Sequence, residues 1–207
     1  MKTGYIAGTI LVASSLMASG LIIKSRKNNK DKIRHKPIIS EEEKSLTKEN
    51  PYVIKEPEVS LALYGSLKGE DHYYKIESEK DFNLYMGILT PKLDGETEPK
   101  NKVYFKFYDK DFKEIKFEDY PTGIVEDHKW YEWYERFGRK WYWVGPEVGT
   151  DLNKPIGLYP KGEYYIKVFN ENKEGNYSLA VGYIEKFSFF DIFSLISTVK
   201  KINKFWK

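Results

Sequence analysis

Tyr164-Tyr165-Ile166-Lys167-Val168-Phe169 is followed by Asn170-Glu171-Asn172-Lys173-Glu174-Gly175-Asn176 and then by Tyr177-Ser178-Leu179-Ala180-Val181. Two runs of aromatic and β-branched residues therefore flank a polar segment rich in Asn and Gly. Such runs fit a pleated, half-buried surface, and Asn and Gly adopt the backbone angles of a reversal, so the stretch predicts an antiparallel hairpin. The pattern continues upstream. In Phe82-Asn83-Leu84-Tyr85-Met86-Gly87-Ile88 the residues Phe82, Leu84, Met86 and Ile88 fall on one side, and in Val103-Tyr104-Phe105-Lys106-Phe107-Tyr108 so do Val103, Phe105 and Phe107. Period two of this kind marks half-buried strands. Short runs punctuated by Gly, Pro, Asn and Asp fill residues 51–185 and predict an all-β domain. An antiparallel β-sandwich is the economical architecture, because each sheet then buries one face against the other.

The flanks read differently. Residues 4–23, GYIAGTILVASSLMASGLII, carry no formal charge. A helix of that length spans roughly the 30 Å of a hydrocarbon core, so residues 1–23 are expected to form an N-terminal transmembrane helix. A cleavable signal peptide is the rival reading, with Lys2 as its positive end and Met17-Ala18-Ser19-Gly20 near a cut; Leu21-Ile22-Ile23 continue the apolar run beyond that cut and favour the anchor. Residues 24–50 read as a basic, charged linker, with Ser40-Glu41-Glu42-Glu43 at capping-box spacing for a short helix over 41–48 that Asn50-Pro51 would end. Residues 186–207 predict an amphipathic helix capped by Ser188, with Phe189, Phe193, Ile196, Val199 and Ile202 near one face and Lys200, Lys201 and Lys204 in the last turns. It either covers the sandwich or lies on a membrane with Phe205 and Trp206 at headgroup depth.

Charge is segregated along the chain. Residues 1–36 hold eight Lys and Arg against one Asp, a balance of +7, whereas residues 37–185 carry −8 and residues 186–207 carry +4. The folded body is acidic, which argues against nucleic acid as a partner. The basic flank after residue 23 would keep the domain cytoplasmic by the positive-inside rule, although large domains translocate despite such flanks. With 207 residues, 41% apolar and 31% charged, the chain is neither wholly disordered nor polytopic, and it has room for one core.

Chemistry has few candidates. No cysteine is present, which removes thiolate metal sites and cysteine nucleophiles. His35, His72 and His128 are scattered without paired metal-ligand spacing, Gly65-Ser66-Leu67-Lys68-Gly69 is not a nucleophile elbow, and no phosphate loop occurs. No catalytic residue, metal or cofactor is called for. Asp109-Lys110-Asp111 and Asp94-Gly95-Glu96 offer oxygens to calcium without matching an EF-hand, and Asn176-Tyr177-Ser178 fits a glycosylation acceptor.

Four of the five tryptophans lie between residues 130 and 143. As core, Trp141 and Trp143 would alternate along a strand, while Trp130, Trp133, Tyr134 and Phe137 would pack at helical spacing. As surface, Trp130, Trp133, Tyr134, Trp141 and Trp143 are the candidate ligand-binding residues, since exposed rings stack on the apolar faces of sugars.

Gly65-Ser66-Leu67, Asp71-His72-Tyr73-Tyr74-Lys75-Ile76, Val103-Tyr104-Phe105-Lys106-Phe107-Tyr108-Asp109, Lys161-Gly162-Glu163-Tyr164-Tyr165-Ile166-Lys167-Val168 and Gly175-Asn176-Tyr177-Ser178-Leu179-Ala180-Val181 follow one another over residues 60–183. In that order they resemble the bacterial and archaeal pre-peptidase C-terminal domain. The resemblance implies a small jelly-roll-like β-sandwich, without catalytic residues of its own, of the kind attached to secreted peptidases and other surface proteins. Departures are the long Trp/Tyr-rich insert at 120–145, the basic helix after the sandwich, and the lack of a peptidase domain on this chain. The expectation is a non-catalytic, membrane-anchored binding or scaffolding module. Its partners would be membrane lipid and an envelope protein or glycan, with the domain on the extracytoplasmic side. A hydrolase is the opposing class.

Overall fold

Strands form where the alternation is strongest, and they fall into two sheets. A computed structural model describes residues 36–39, 46–117, 128–135, 140–149, 157–184 and 200–206. One sheet has six strands in the order β1 (Lys36–Ile39), β3 (Leu61–Lys68), β13 (Glu174–Val181), β6 (Met86–Pro91), β10 (Lys140–Val148) and β9 (Tyr131–Glu135). The other has five, in the order β2 (Tyr52–Ile54), β4 (His72–Ser78), β12 (Gly162–Phe169), β7 (Tyr104–Asp109) and β8 (Glu114–Ile115). β5 (Phe82–Asn83) and β11 (Leu158–Tyr159) pair separately. The pairings are antiparallel except at one edge of each sheet, where β1 joins β3 and β2 joins β4 in parallel.

The two sheets share one core. Leu63, Leu67, Met86, Ile88, Leu179 and Val181 of the first meet Tyr74, Ile76, Phe105, Phe107, Ile166 and Val168 of the second in a single buried cluster. Along β12, buried Tyr164, Ile166 and Val168 alternate with half-exposed Tyr165, Lys167 and Phe169, as a period of two requires. Each fully buried aliphatic or Phe side chain contributes about 1.5–3 kcal/mol relative to exposure. This is an all-β sandwich.

The expected hairpin between Tyr164–Phe169 and Tyr177–Val181 is not one. β12 pairs with β4 and β7, β13 pairs with β3 and β6, and the intervening residues carry the chain from one sheet to the other. Alternation fixes which side chains point inward but not which strand lies alongside. Here each strand finds long ladders elsewhere, seven residue pairs for β12 on β4 and eight for β13 on β3. The crossing is braced by Asn170, whose Nδ2 donates to the Glu174 carbonyl at 2.6 Å while its Oδ1 accepts from the Glu174 N–H at 3.1 Å. Lys173 turns the corner at φ 53°.

Phe82, Leu84, Met86 and Ile88 do face the core together, but across a break: β5 and β6 are separate strands. β6 is also buried on its other side, where Tyr85 and Leu89 join Tyr142, Val144, Phe205 and Trp206 in a second cluster. The cover is the chain's end. Residues 200–205 are helical, Phe205 and Trp206 are each 7% exposed, and both rings pack edge-on against Tyr64 of β3. Phe205 and Trp206 thus pack on the sheet, where a helix covering the sandwich would place them; residues 186–199 of the expected helix lie outside the described residues.

The stretch read as linker is not all linker. β1 adds Lys36–Ile39 to a sheet edge, and Leu46 is buried in the core with its carbonyl accepting from the Tyr73 N–H at 2.8 Å. Residues 46–48 are not helical, and the rest of the expected 41–48 helix lies outside the described residues, as does the anchor at 1–23. Among the described residues, no helix is long and apolar enough to cross a membrane.

Candidate functional site

Trp133 and Tyr134, expected to pack at helical spacing with Trp130 and Phe137, lie instead on a strand, β9, paired with β10 from Lys140↔Glu135 to Val144↔Tyr131. Tyr131, Trp133 and Tyr134 are aromatic residues that suit a pleated surface, and they face the aromatic and β-branched run Trp141-Tyr142-Trp143-Val144, which favours a ladder over a helix. The change of period separates the candidate rings.

Trp133 points to the outer side of the sheet, 6.0 Å from the Tyr142 ring, in the cluster under residues 205–206. Trp130 packs on the main core at the bulge of β10; its indole lies so close over Gly145 that a Cβ there would approach the ring to 2.5 Å. Phe137 lies outside the described residues. Trp141, Trp143, Tyr134 and Glu132 share the opposite side, because Trp141 faces Tyr134 and Trp143 faces Glu132 across the ladder.

That side divides the two tryptophans that were expected to be core together. Trp143 is 3% exposed, and its indole N–H donates to Glu96 Oε2 at 3.2 Å. Trp141 is 49% exposed and touches Tyr134, itself 40% exposed, with ring centroids 5.1 Å apart. The cause is coverage: the turn at Leu93–Glu96 folds over Trp143 and stops short of the residue two places back. Between the two indoles stands Lys92, 4.7 Å from the Trp143 ring, 5.9 Å from the Trp141 ring and 2.6 Å from Glu132 Oε1. Trp141, Tyr134, Lys92 and Glu132 thus make a rigid, partly aromatic surface with a charged pair beside it.

Next to it the sheet forks. β13 and β6 pair from Val181↔Met86 to Ser178↔Leu89. Beyond that point β13 stays with β3, through Asn176↔Ser66 and Glu174↔Lys68, whereas β6 follows β10, through Thr90↔Trp143 and Pro91↔Tyr142. A cleft of about 690 Å³ occupies the fork, walled by Thr90, Glu96, Trp143, Asn176 and Trp206. Glu96 and Thr90 were not singled out as binding residues in the sequence. Glu96 stood only in the calcium alternative, and nothing in local spacing shows that its Oε2 would accept from the Leu93 N–H at 2.9 Å as well as from Trp143.

The other sequence candidates serve the scaffold. Asp109 Oδ1 accepts from the N–H groups of Asp111 and Lys113, both at 2.9 Å, and so shapes its own turn. Among the described residues there is no group of three or more side chains able to hold a metal. Asn176 of the glycosylation pattern lies on β13 and donates from Nδ2 to the Phe205 carbonyl at 3.1 Å, which ties the acceptor nitrogen into the terminal segment. Glu147 accepts from the hydroxyls of Tyr85 and Tyr131, each at 3.1 Å; burial raises its carboxyl above the usual range, against the lowering effect of those two bonds. No protein-family model matches the chain, and no curated protein matches it.

Proposed function

We propose that this chain is a non-catalytic, membrane-tethered binding module, a jelly-roll-like sandwich of the pre-peptidase C-terminal type that presents Trp141 and Tyr134 to a partner in the cell envelope. The observation that carries this reading is the exposure of those two rings on a hairpin held by five ladder pairs. Large apolar side chains left open side by side on a rigid element are characteristic of contact surfaces. The partly buried carboxylates support a non-catalytic role, since each is occupied in bracing the fold: Glu58 holds the backbone N–H of Asn83 at 3.0 Å, and Asp71 pairs with Lys167 at 2.8 Å.

The tether reading combines the uncharged residues 4–23 with β1, which begins at Lys36. Twelve residues lie between Ile23 and Lys36, and an extended chain covers at most about 3.6 Å per residue, so the sandwich would be held within ~45 Å of the bilayer. The family resemblance favours the extracytoplasmic side. A glycan is the partner chemistry that Trp141 and Tyr134 suit best, because a tilted aromatic pair offers apolar faces while Lys92 and Glu132 beside it offer groups for hydroxyls.

Co-sedimentation of the full chain, in a detergent without a sugar headgroup, with insoluble chitin, cellulose and peptidoglycan tests this. One of these polymers should retain the protein, and Trp141→Ala should release it without loss of fold. Equal retention of wild type and Trp141→Ala would remove the ring pair from any binding role.

A further inference from the structure

We infer that the cleft in the fork between β13 and β6 is a ligand site for an uncharged, polyhydroxylated group with the chemistry of a saccharide ring; the inference rests on the reading of the chain as a binding module. The cleft concentrates hydrogen-bonding capacity that the fold does not use. Thr90 is 2% exposed and its hydroxyl has no hydrogen-bond partner among the described residues. Trp206, at the same cleft, is 7% exposed and its indole N–H is likewise unpartnered among them. Buried polar groups are nearly always bonded, because leaving one without a partner forfeits its hydration with no return.

Glu96 completes the set. Its Oε2 is fixed by two donors, Leu93 N–H and Trp143 Nε1, and neither bond engages Oε1. Glu96 thus sets a positioned acceptor in the cleft wall, and within residues of the same wall lie a donor, Trp206 Nε1, and in Thr90 Oγ1 a group that serves as either, both atoms closed to water. Hydroxyl groups both give and receive, so a ligand with adjacent hydroxyls that draws these two buried atoms to the cleft surface satisfies all three, with one O–H donating to the carboxylate and another oxygen accepting from the indole. Charge selects against ionic ligands: Lys68 and Lys100 balance Glu96 and Glu174 around the cleft, and an anion would meet the Glu96 carboxylate directly. Trp143 and Leu93 supply the apolar wall. Trp141 lies two residues along the same side of β10, about 7 Å away, so a second sugar unit reaches the exposed rings.

The test is titration of the full chain, in the same sugar-free detergent, with glucose, galactose, mannose, N-acetylglucosamine, chitotriose and cellotriose, followed by intrinsic fluorescence, since Trp143 and Trp206 line the cleft. One of these neutral sugars should give a saturable change at millimolar concentration. Thr90→Val and Glu96→Gln should each weaken it about tenfold or more, and Thr90→Val should leave the melting temperature unchanged or raised, because it deletes an unpartnered buried hydroxyl. Binding that Trp141→Ala abolishes and Thr90→Val leaves unchanged would overturn the cleft site while keeping the binding module. A response to phosphate or choline but to no neutral sugar would overturn the ligand chemistry, and no response to any probe would overturn the site.

Discussion

His72 and Tyr177 meet across the end of the core, with His72 Nδ1 2.8 Å from the Tyr177 hydroxyl, which in turn lies 2.8 Å from the Tyr74 hydroxyl. The chain of three joins the sheets, since His72 and Tyr74 belong to β4 and Tyr177 to β13. Burial holds the His72 imidazole below its usual pKa, opposed by Asp71 and assisted by Lys68. Above the unfolded value of 6.5 both states are neutral and this contribution to stability is complete. As pH falls, the unfolded chain takes up the proton first, so stability declines until the pH passes below the folded pKa. His128, also lowered by burial, acts with the same sign. Urea unfolding at several pH values between 8 and 5 should show this decline, and His72→Gln should flatten it by up to one proton. An unchanged slope in His72→Gln would mean that the imidazole does not carry the pH dependence.

Gly65 is required by the same tyrosine. A Cβ at Gly65 would sit 2.8 Å from Tyr177 Cε1 and closer still to the hydroxyl end of the ring. Tyr177 is fully buried and held by two hydrogen bonds, so it has nowhere to move. Gly65→Ala should therefore cost about 1–3 kcal/mol by overpacking, seen as a lower urea midpoint at constant m-value. Combining it with Tyr177→Leu, which removes the offending atoms, should give less than the sum of the two single losses; simple additivity would show that the clash is relieved by backbone movement instead.

These two contacts mark where the sequence stops being legible. The alternation places Tyr177 on a strand and gives Phe82, Leu84, Met86 and Ile88 a common side, as they have in the core, whereas the strand that carries Gly65 is not among those predicted from the sequence. Strand partners were not legible: the Asn/Gly-rich segment at 170–176 looks like a hairpin turn, yet it bridges two sheets, because local residue types do not encode which ladder is longer. The site suffered the same limit. Trp141 and Trp143 have identical alternation and differ in exposure only because Leu93–Glu96, some fifty residues earlier, folds over one of them. Trp206 reaches the cleft from the far end of the chain, and no local signal announces that.

The terminal residues should behave as core. Phe205 and Trp206 cover Tyr64, Leu89 and Tyr142, so Trp206→Ala should lower stability by about 3–5 kcal/mol. Thermal unfolding checks this directly. An unaltered melting point together with weaker binding to anionic lipid vesicles would show that the segment serves the membrane and not the sheet.

Trp141 and Trp143 provide the sharpest contrast, since they differ in environment while sharing residue type, strand and side. Trp143→Ala empties a nearly closed site and deprives Glu96 of a donor, so it should cost about 3–5 kcal/mol, a large part of a typical domain stability of about 5–15 kcal/mol. Trp141→Ala removes a half-exposed ring whose neighbours are Tyr134 and Lys92, and should change stability by only about 0.5 kcal/mol. Emission spectra should separate them as well: Trp141→Ala removes the red-shifted, water-exposed component, whereas Trp143→Ala removes a blue-shifted one. Were Trp141→Ala to unfold the domain, the ring would belong to the core, and neither it nor Tyr134 would be left to meet a partner.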